Sequence, residues 1–222
     1  TTTYNSYLFG PTPPAGRPYT IRTFYEQMSR GVFSMQGAAV GWVTLGGPES
    51  QYTGPTTGCS TPYGTCNGIG STAAYAALRA GLVEAIGKAD AQGVDWSRFG
   101  YDNATGTLDL VIFIQPNMDG ACASASNNHV WSHRSSLSGI NTATDWPGHA
   151  PQKLKVADYT IQSGVGGLTA CNAAEIMGIG TAAHETGHGL DLPDLYDTNP
   201  SDGDDSEGIG EWGLMGSGNY AR

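Results

Sequence analysis

Two histidines four residues apart, His184 and His188, limit most strongly what this chain can fold into. Residues four apart in an α-helix lie on one face, one above the other, so a helix lets both imidazoles bind one metal ion. Glu185 lies beside the first histidine, where its carboxylate can reach a water held by that ion. The spacing therefore predicts a helix with a metal site on its surface, within a helical pattern that runs from Ile176 to Leu190.

Two histidines do not complete such a site, because catalytic zinc usually has three protein ligands and an open position. Asp194 follows His188 by six residues, and a carboxylate oxygen can serve as the third ligand. Two alternatives stay open at this point. The histidine pattern also arises by chance on ordinary helices, and a distant glutamate (Glu84, Glu175 or Glu211) can complete other zinc sites.

Two stretches of the chain resemble a known family, the immune-inhibitor-A-like metallopeptidases, which are secreted zinc proteases of the metzincin type. Residues 184–197, HETGHGLDLPDLYD, resemble the active-site stretch of that family, and residues 208–218, GIGEWGLMGSG, resemble its methionine turn. Weaker similarities at 24–31, 130–134 and 159–162 extend the resemblance over most of residues 20–218.

The resemblance implies a role for each residue of the site. His184, His188 and Asp194 would bind zinc, Glu185 would act as general base, and Met215 would form a hydrophobic floor below the metal. Asp191 stands where the family usually has a glycine with positive φ. Aspartate is among the residues that tolerate this conformation, so we expect the turn to be kept.

Other residues are weighed against ordinary structural roles. His129, His133 and His149 are alternative metal ligands, although hydrogen-bonded structural histidines are more common. Tyr196 or Tyr220 could donate to the oxyanion of the reaction, and the strand predicted at 154–161 could pair with an extended peptide.

The four cysteines suggest two disulfides. Cys59 and Cys66 flank a six-residue loop, which leaves Cys122 and Cys171 as the second pair. Four cysteines allow three connectivities, so this pairing is a preference. A cysteine metal site and a cytosolic protein with buried thiols are the alternatives, but paired cysteines and only three lysines favour export. The opening residues have no signal-peptide pattern; such a segment could have been removed, or the chain could be a domain cut from a longer protein.

The acidity of the chain is concentrated after the predicted zinc helix. The formal charge is −10, yet Asp191 to Glu211 holds eight acidic residues and no basic one, which leaves 12 acidic against 10 basic residues elsewhere. Carboxylates separated by glycine suit Ca²⁺, although a solvated acidic loop is the alternative. The predicted calcium ligands are Asp197, Asp202, Asp204, Asp205 and Glu207.

Composition excludes several classes of protein. A net negative charge argues against nucleic acid as a partner, because nucleic acid attracts basic patches. A hydrophobic content of 39% argues against disorder, and the longest strongly apolar run, Leu110 to Ile114, is far too short to span a bilayer.

Hydrophobic periodicity predicts an α/β (α+β) domain with a mixed, twisted sheet of four or five strands. The resemblance implies that this is a metzincin-like zincin domain. Residues 1–20 and 116–150 read as loop, as does the part after Leu190. The predicted helices are Ile21–Ser29, Ser71–Asp90 as a backing helix, and the active-site helix. The predicted strands are Val32–Leu45, Leu108–Gln115 and Leu154–Ile161.

Together these features predict a secreted, monomeric zinc endopeptidase that acts on proteins or peptides. We expect one catalytic domain over 1–222, with an N-terminal part to about 190 and a small C-terminal part from about 191. The rival function is a non-catalytic zinc-binding domain of an adhesin or cell-wall protein, and the fallback is a metal-free structural domain.

Overall fold

The computed structural model describes residues 1–60, 64–122, 128–167, 171–199, 201, 203 and 206–220. The α-helices of this part are α1 (Thr2–Phe9), α2 (Ile21–Met28), α3 (Glu49–Thr53), α4 (Thr72–Ala91) and α5 (Ile179–Gly189). Its strands are β1 (Val111–Gln115), β2 (His133–Asp145), β3 (Lys153–Ser163), β4 (Val165–Gly166) and β5 (Asn172–Ile176). The mixed α/β class is confirmed, and none of these helices is long and apolar enough to cross a bilayer.

The main sheet has three strands in the order β1-β3-β2. β1 runs parallel to β3, and β2 runs antiparallel to it. β4 and β5 pair separately as a small antiparallel sheet. The prediction of one sheet with four or five strands is therefore wrong for the described residues, although their strands total five across two sheets.

The segment 32–45 explains part of this difference, because it is not a strand. Side chains satisfy two of its backbone groups. The Oδ1 atom of Asn5 accepts from the Ala39 N–H, and Gln92 donates from Nε2 to the Trp42 carbonyl. Val40 and Trp42 are about half exposed, so the alternating pattern does not face a sheet core.

Helix α4 is the backing helix that its sequence predicts. Ser71 caps it by accepting the Ala74 N–H at 3.2 Å. Leu78, Leu82 and Ile86 recur at four-residue spacing and are buried against the sheet. On β3, Tyr159 and Ile161 belong to this same core. The side chain between them, and the next one after Ile161, therefore point to the opposite side of the sheet.

That opposite side is covered by α1, α2 and α5. Leu8, Ile21, Tyr25, Ala182 and Ala183 form a second buried cluster there. The prediction of a loop over 1–20 is wrong for Thr2–Phe9, which is helical. The prolines that suggest a loop begin only at residue 11, and burial of Leu8 stabilises the preceding turns.

Strand β2 lies where the sequence predicts loop, so that prediction is also wrong. Its residues are mostly small and polar, with Leu137 fully buried. Ser138 and Gly139 both have positive φ, at 59° and 81°, and the register with β3 shifts between Ser136 and Ile140. This bulge breaks the alternation that normally reveals a strand.

The remaining predictions concern disulfides and the C-terminal part. Both disulfides, Cys59–Cys66 and Cys122–Cys171, are present as predicted. The described residues after α5 contain only the 3₁₀ turns Gly210–Trp212 and Ser217–Tyr220, as expected for a loop-rich segment. The division of the domain near residue 190 stays a prediction.

Candidate metal centre

Helix α5 carries His184 and His188 on one face, and the chain reverses soon after the second histidine. The helix ends at Gly189, and Asp191 then has φ 61°. The expected positive φ at Asp191 is therefore confirmed. Its amide donates to the His188 carbonyl at 3.0 Å, and the Leu192 amide donates to that of Gly187 at 3.0 Å. This reversal brings Asp194 back to the histidines.

Asp194 lies between the two imidazoles. Its Oδ1 atom is 3.2 Å from Nε2 of His184 and 3.4 Å from Nε2 of His188. Tetrahedral zinc ligands bonded at about 2.0–2.1 Å are about 3.4 Å from one another, so these separations suit three ligands of one ion. In the part of the chain that the structure describes, these residues form the one group of three or more suited to a metal.

Backbone carbonyls orient both rings toward this shared position. Nδ1 of His184 donates to the Leu214 carbonyl at 2.8 Å, and Nδ1 of His188 donates to the Leu192 carbonyl at 2.8 Å. Because each Nδ1 carries the hydrogen, each Nε2 keeps a lone pair for a metal.

An unsatisfied polar atom tests whether the site fits a cation. Oδ1 of Asp194 is buried from solvent and has no hydrogen-bond partner among the described residues. A buried carboxylate oxygen without a donor is costly unless a cation or a proton neutralises it. Two nitrogen lone pairs beside that oxygen form a donor set typical of zinc, so the residues fit such an ion.

Met215 lies beneath α5. Its side chain is buried, and a β-carbon added to Gly187 would be 2.7 Å from the Met215 sulfur. The Met215 carbonyl accepts the Leu195 amide at 2.8 Å, next to Asp194. The segment 214–215 therefore touches the helix, one histidine and the aspartate loop, and the role of Met215 as a floor below a metal stays a prediction.

Glu185 is buried beside the histidines, with 8% of its surface exposed. Burial, together with the charges of Asp119 and Asp194, raises the pKa of its carboxyl to about 8. The backbone N–H of Arg134, at the start of β2, opposes this shift by donating to the carboxylate. The carboxyl group therefore lies where β2 meets α5.

Asp119 is a site residue that sequence reasoning misses. It is 4% exposed, and burial raises the pKa of its carboxyl. Its Oδ1 accepts the amides of Ala121 at 2.8 Å and Ser132 at 3.3 Å, while its Oδ2 accepts the Ser132 hydroxyl. These bonds hold the chain two residues before Arg134. A lone aspartate in a polar loop has no spacing pattern that reveals such a role.

The alternative ligands lie elsewhere. His129 pairs with Glu49 at 2.8 Å, and His149 stacks on Trp146 with ring centroids 3.8 Å apart. His133 contacts the Trp131 carbonyl and the Tyr159 hydroxyl, and desolvation lowers its pKa. The described metal-binding group contains none of these histidines, nor any of the glutamates considered as a third ligand, which are Glu84, Glu175 and Glu211.

The expectations for calcium and for tyrosine stay predictions. Asp202, Asp204 and Asp205 lie outside the described residues, as does the Tyr220 side chain. Asp197 accepts the Asn199 amide at 2.7 Å, while Glu207 and Tyr196 are exposed.

Strand 154–161, considered above as a partner for an extended peptide, cannot have that role. It lies within β3, which pairs with β1 on one side and β2 on the other. β2 covers one side of it, and β1 covers the other side from Tyr159 onward, with a single bridge from Thr107 to Lys155 before that. In the described sheet, β2 pairs on one side only, so β2 is a free edge.

A helix with two histidines, an aspartate after its end and a buried glutamate is an arrangement typical of metal-dependent hydrolases. The family model for the immune inhibitor A peptidase M6 catalytic domain matches residues 1–222. The chain belongs to this family, and is by family a metallopeptidase catalytic domain.

Two relatives agree with this assignment. The chain is 29% identical over 239 residues to the pre-pro-metalloprotease PrtV of Vibrio cholerae serotype O1. It is 26% identical over 244 residues to immune inhibitor A of Bacillus thuringiensis subsp. alesti. Each alignment covers 98% of this chain, but only 23% and 32% of the respective relative.

Proposed function

We propose that the chain is the catalytic domain of an exported zinc endopeptidase, with His184, His188 and Asp194 as metal ligands. The observation that carries the proposal is the unpaired Oδ1 of Asp194, 3.2 and 3.4 Å from two imidazole nitrogens. Zinc bound there would supply a Lewis acid that polarises the scissile carbonyl and lowers the pKa of water.

Glu185 acts as the general base in this proposal. Its carboxylate takes a proton from the attacking water and later returns it to the leaving amine. Burial raises the pKa of this carboxyl above its ordinary value, toward the range in which a group can both accept and release a proton near neutral pH. The Arg134 amide and the packing of α5 hold the carboxylate in one orientation.

The substrate backbone adds to the outer edge of β2. An extended peptide can pair with a free strand edge through main-chain hydrogen bonds. The start of β2 touches Glu185 through Arg134, so a peptide bound along this edge passes the base. Protein or peptide substrates fit this mode of binding.

Two disulfides support an exported protein, because such bonds persist in oxidising compartments. The rival function, a non-catalytic zinc-binding domain, gives no reason for a glutamate buried beside the ligands, since a structural site does not use one.

A protein-digestion assay tests the proposal. We expect the zinc-loaded domain to digest casein, a chelator to abolish digestion, and added zinc to restore it. Digestion that a strong chelator leaves unchanged would contradict metal dependence. A domain that binds one zinc but digests neither casein nor gelatin would support the non-catalytic alternative.

A further inference from the structure

A cavity of about 150 Å³ lies beside α5, and the mechanism above does not use it. Its walls come from the N-terminal half of α5, the end of β3 and the segment after Met215. The residues that matter for its chemistry are Arg17, Asp119, Gln162, Thr181 and Asn219.

The cavity adjoins the catalytic machinery. Ala183, in its wall, precedes His184, and the carbonyl of Leu214, also in its wall, accepts from Nδ1 of that histidine. Thr181 lies one helical turn before Glu185 and so shares its face. The wall of the cavity therefore belongs to the same helical turns that carry His184 and Glu185.

Gln162 lines the cavity, and its polar side-chain atoms have no hydrogen-bond partner among the described residues. Gln162 is 1% exposed, and both its Nε2 and its Oε1 are buried without a hydrogen bond. Native proteins rarely leave a buried donor and acceptor unpaired. Two other lining residues, Arg17 and Asn219, also have buried atoms without a hydrogen-bond partner, Nη1 and Oδ1 respectively. The cavity wall thus holds both donors and acceptors that have no hydrogen-bond partner.

The two unpaired atoms of Gln162 favour a neutral ligand that both donates and accepts. A carboxylate would leave Oε1 of Gln162 without a donor, and an ammonium group would leave its Nε2 without an acceptor. A carboxamide has both functions in one plane.

We propose that this cavity binds the carboxamide side chain of a substrate glutamine or asparagine next to the scissile bond, with Gln162 as the residue that selects it. The amide of the substrate donates to Oε1 of Gln162 and accepts from its Nε2. This inference rests on the proposed peptidase function and adds a substrate preference to it. Waters alone in the cavity would satisfy the same atoms but would give no preference.

A peptide series tests the proposal. In peptides of one sequence, each position flanking the cleaved bond is varied in turn among Gln, Asn, Glu, Lys and Leu, and kcat/KM is measured with the zinc-loaded protein. At one position we expect Gln or Asn to exceed Leu by about tenfold or more, because an analogue that lacks the hydrogen-bonding groups leaves the site unpaired. Glu and Lys should fall to the level of Leu or below.

Variants then assign the preference to Gln162. Gln162→Leu should remove the preference, so that the Gln and Asn peptides are cleaved no faster than the Leu peptide by the same variant. Gln162→Met is a second variant of similar length if the first folds poorly. Gln152→Leu, an exposed glutamine just before β3, is the matched control and should keep the preference.

Two results would overturn the inference while leaving the peptidase function intact. One is cleavage without a preference for carboxamides at either position, and the other is an undiminished preference in a folded Gln162 variant. A zinc-loaded protein that cleaves no peptide of any sequence would instead overturn the proposed function, and the inference with it.

Discussion

Gly187 packs directly on Met215, so closely that a β-carbon at residue 187 would lie 2.7 Å from the methionine sulfur. This contact joins the active-site helix to the turn below it. The same turn makes two further hydrogen bonds. The Leu214 carbonyl accepts a hydrogen bond from His184, and the Met215 carbonyl accepts one from the Leu195 amide. A change at Gly187 therefore reaches two of the three proposed ligands through one side chain.

Gly187→Ala tests this packing. A β-carbon at 2.7 Å must displace the Met215 sulfur, which lies at the flexible end of its side chain, so we place the cost near the lower end of the usual overpacking range, at about 1 kcal/mol. We expect chemical denaturation to show a loss of this size and zinc affinity to fall. Gly87→Ala, in the middle of α4 with open space around it, is the control and should be neutral or stabilising. Adding Met215→Ala to the first variant should restore part of its zinc affinity, and unchanged affinity in Gly187→Ala would refute the coupling.

Asp194→Asn tests the third ligand. The substitution keeps the shape of the side chain but removes the negative charge from the atom that lies between the histidines. Altering even a residue that supports a ligand typically costs about 10–100-fold in metal affinity, so we expect at least about 100-fold here. Competition with a chromophoric chelator measures this loss. Asp197→Asn, three residues later, should bind zinc like the wild type, and equal affinity in both variants would remove Asp194 from the site.

Asp119→Ala tests whether the loop before β2 positions the base. Hydrogen bonds to a charged group each contribute about 1.5–3 kcal/mol, and this carboxyl accepts three of them. We expect a clear fall in thermal stability, and a fall in kcat with little change in KM because Arg134 no longer holds Glu185. Asp102→Ala removes a comparable but exposed turn and should leave kcat unchanged. A normal kcat in a folded Asp119 variant would contradict the positioning role.

The sequence predicts those parts of the fold in which local and tertiary preferences agree. Helix α4 has a cap at Ser71 and an apolar stripe that is buried, and α5 has the histidine spacing. The turn at Asp191 follows from the need for positive φ. In each case one side-chain pattern specifies one backbone geometry.

Tertiary contacts decide the parts that the sequence does not predict. β2 is a strand because β3 pairs with it across a bulge, although its own residues are mostly small and polar. The segment 32–45 alternates like a strand but bonds instead to Asn5 and Gln92. Asp119 reaches the site only because Gly120 packs against the backbone of residues 129–131. Each of these contacts joins segments that no local sequence pattern links.

We propose above all that Glu185 acts as general base beside a metal held by His184, His188 and Asp194. The most direct test is the rate of peptide hydrolysis by Glu185→Gln at matched zinc content, since this change keeps the shape of the residue and removes its proton-accepting oxygen. General acid–base catalysis contributes about 10²–10⁴-fold, so we predict one bound zinc per chain and a loss in kcat of that size or more. A fully zinc-loaded Glu185→Gln variant that hydrolyses the peptide at the wild-type rate would contradict the account.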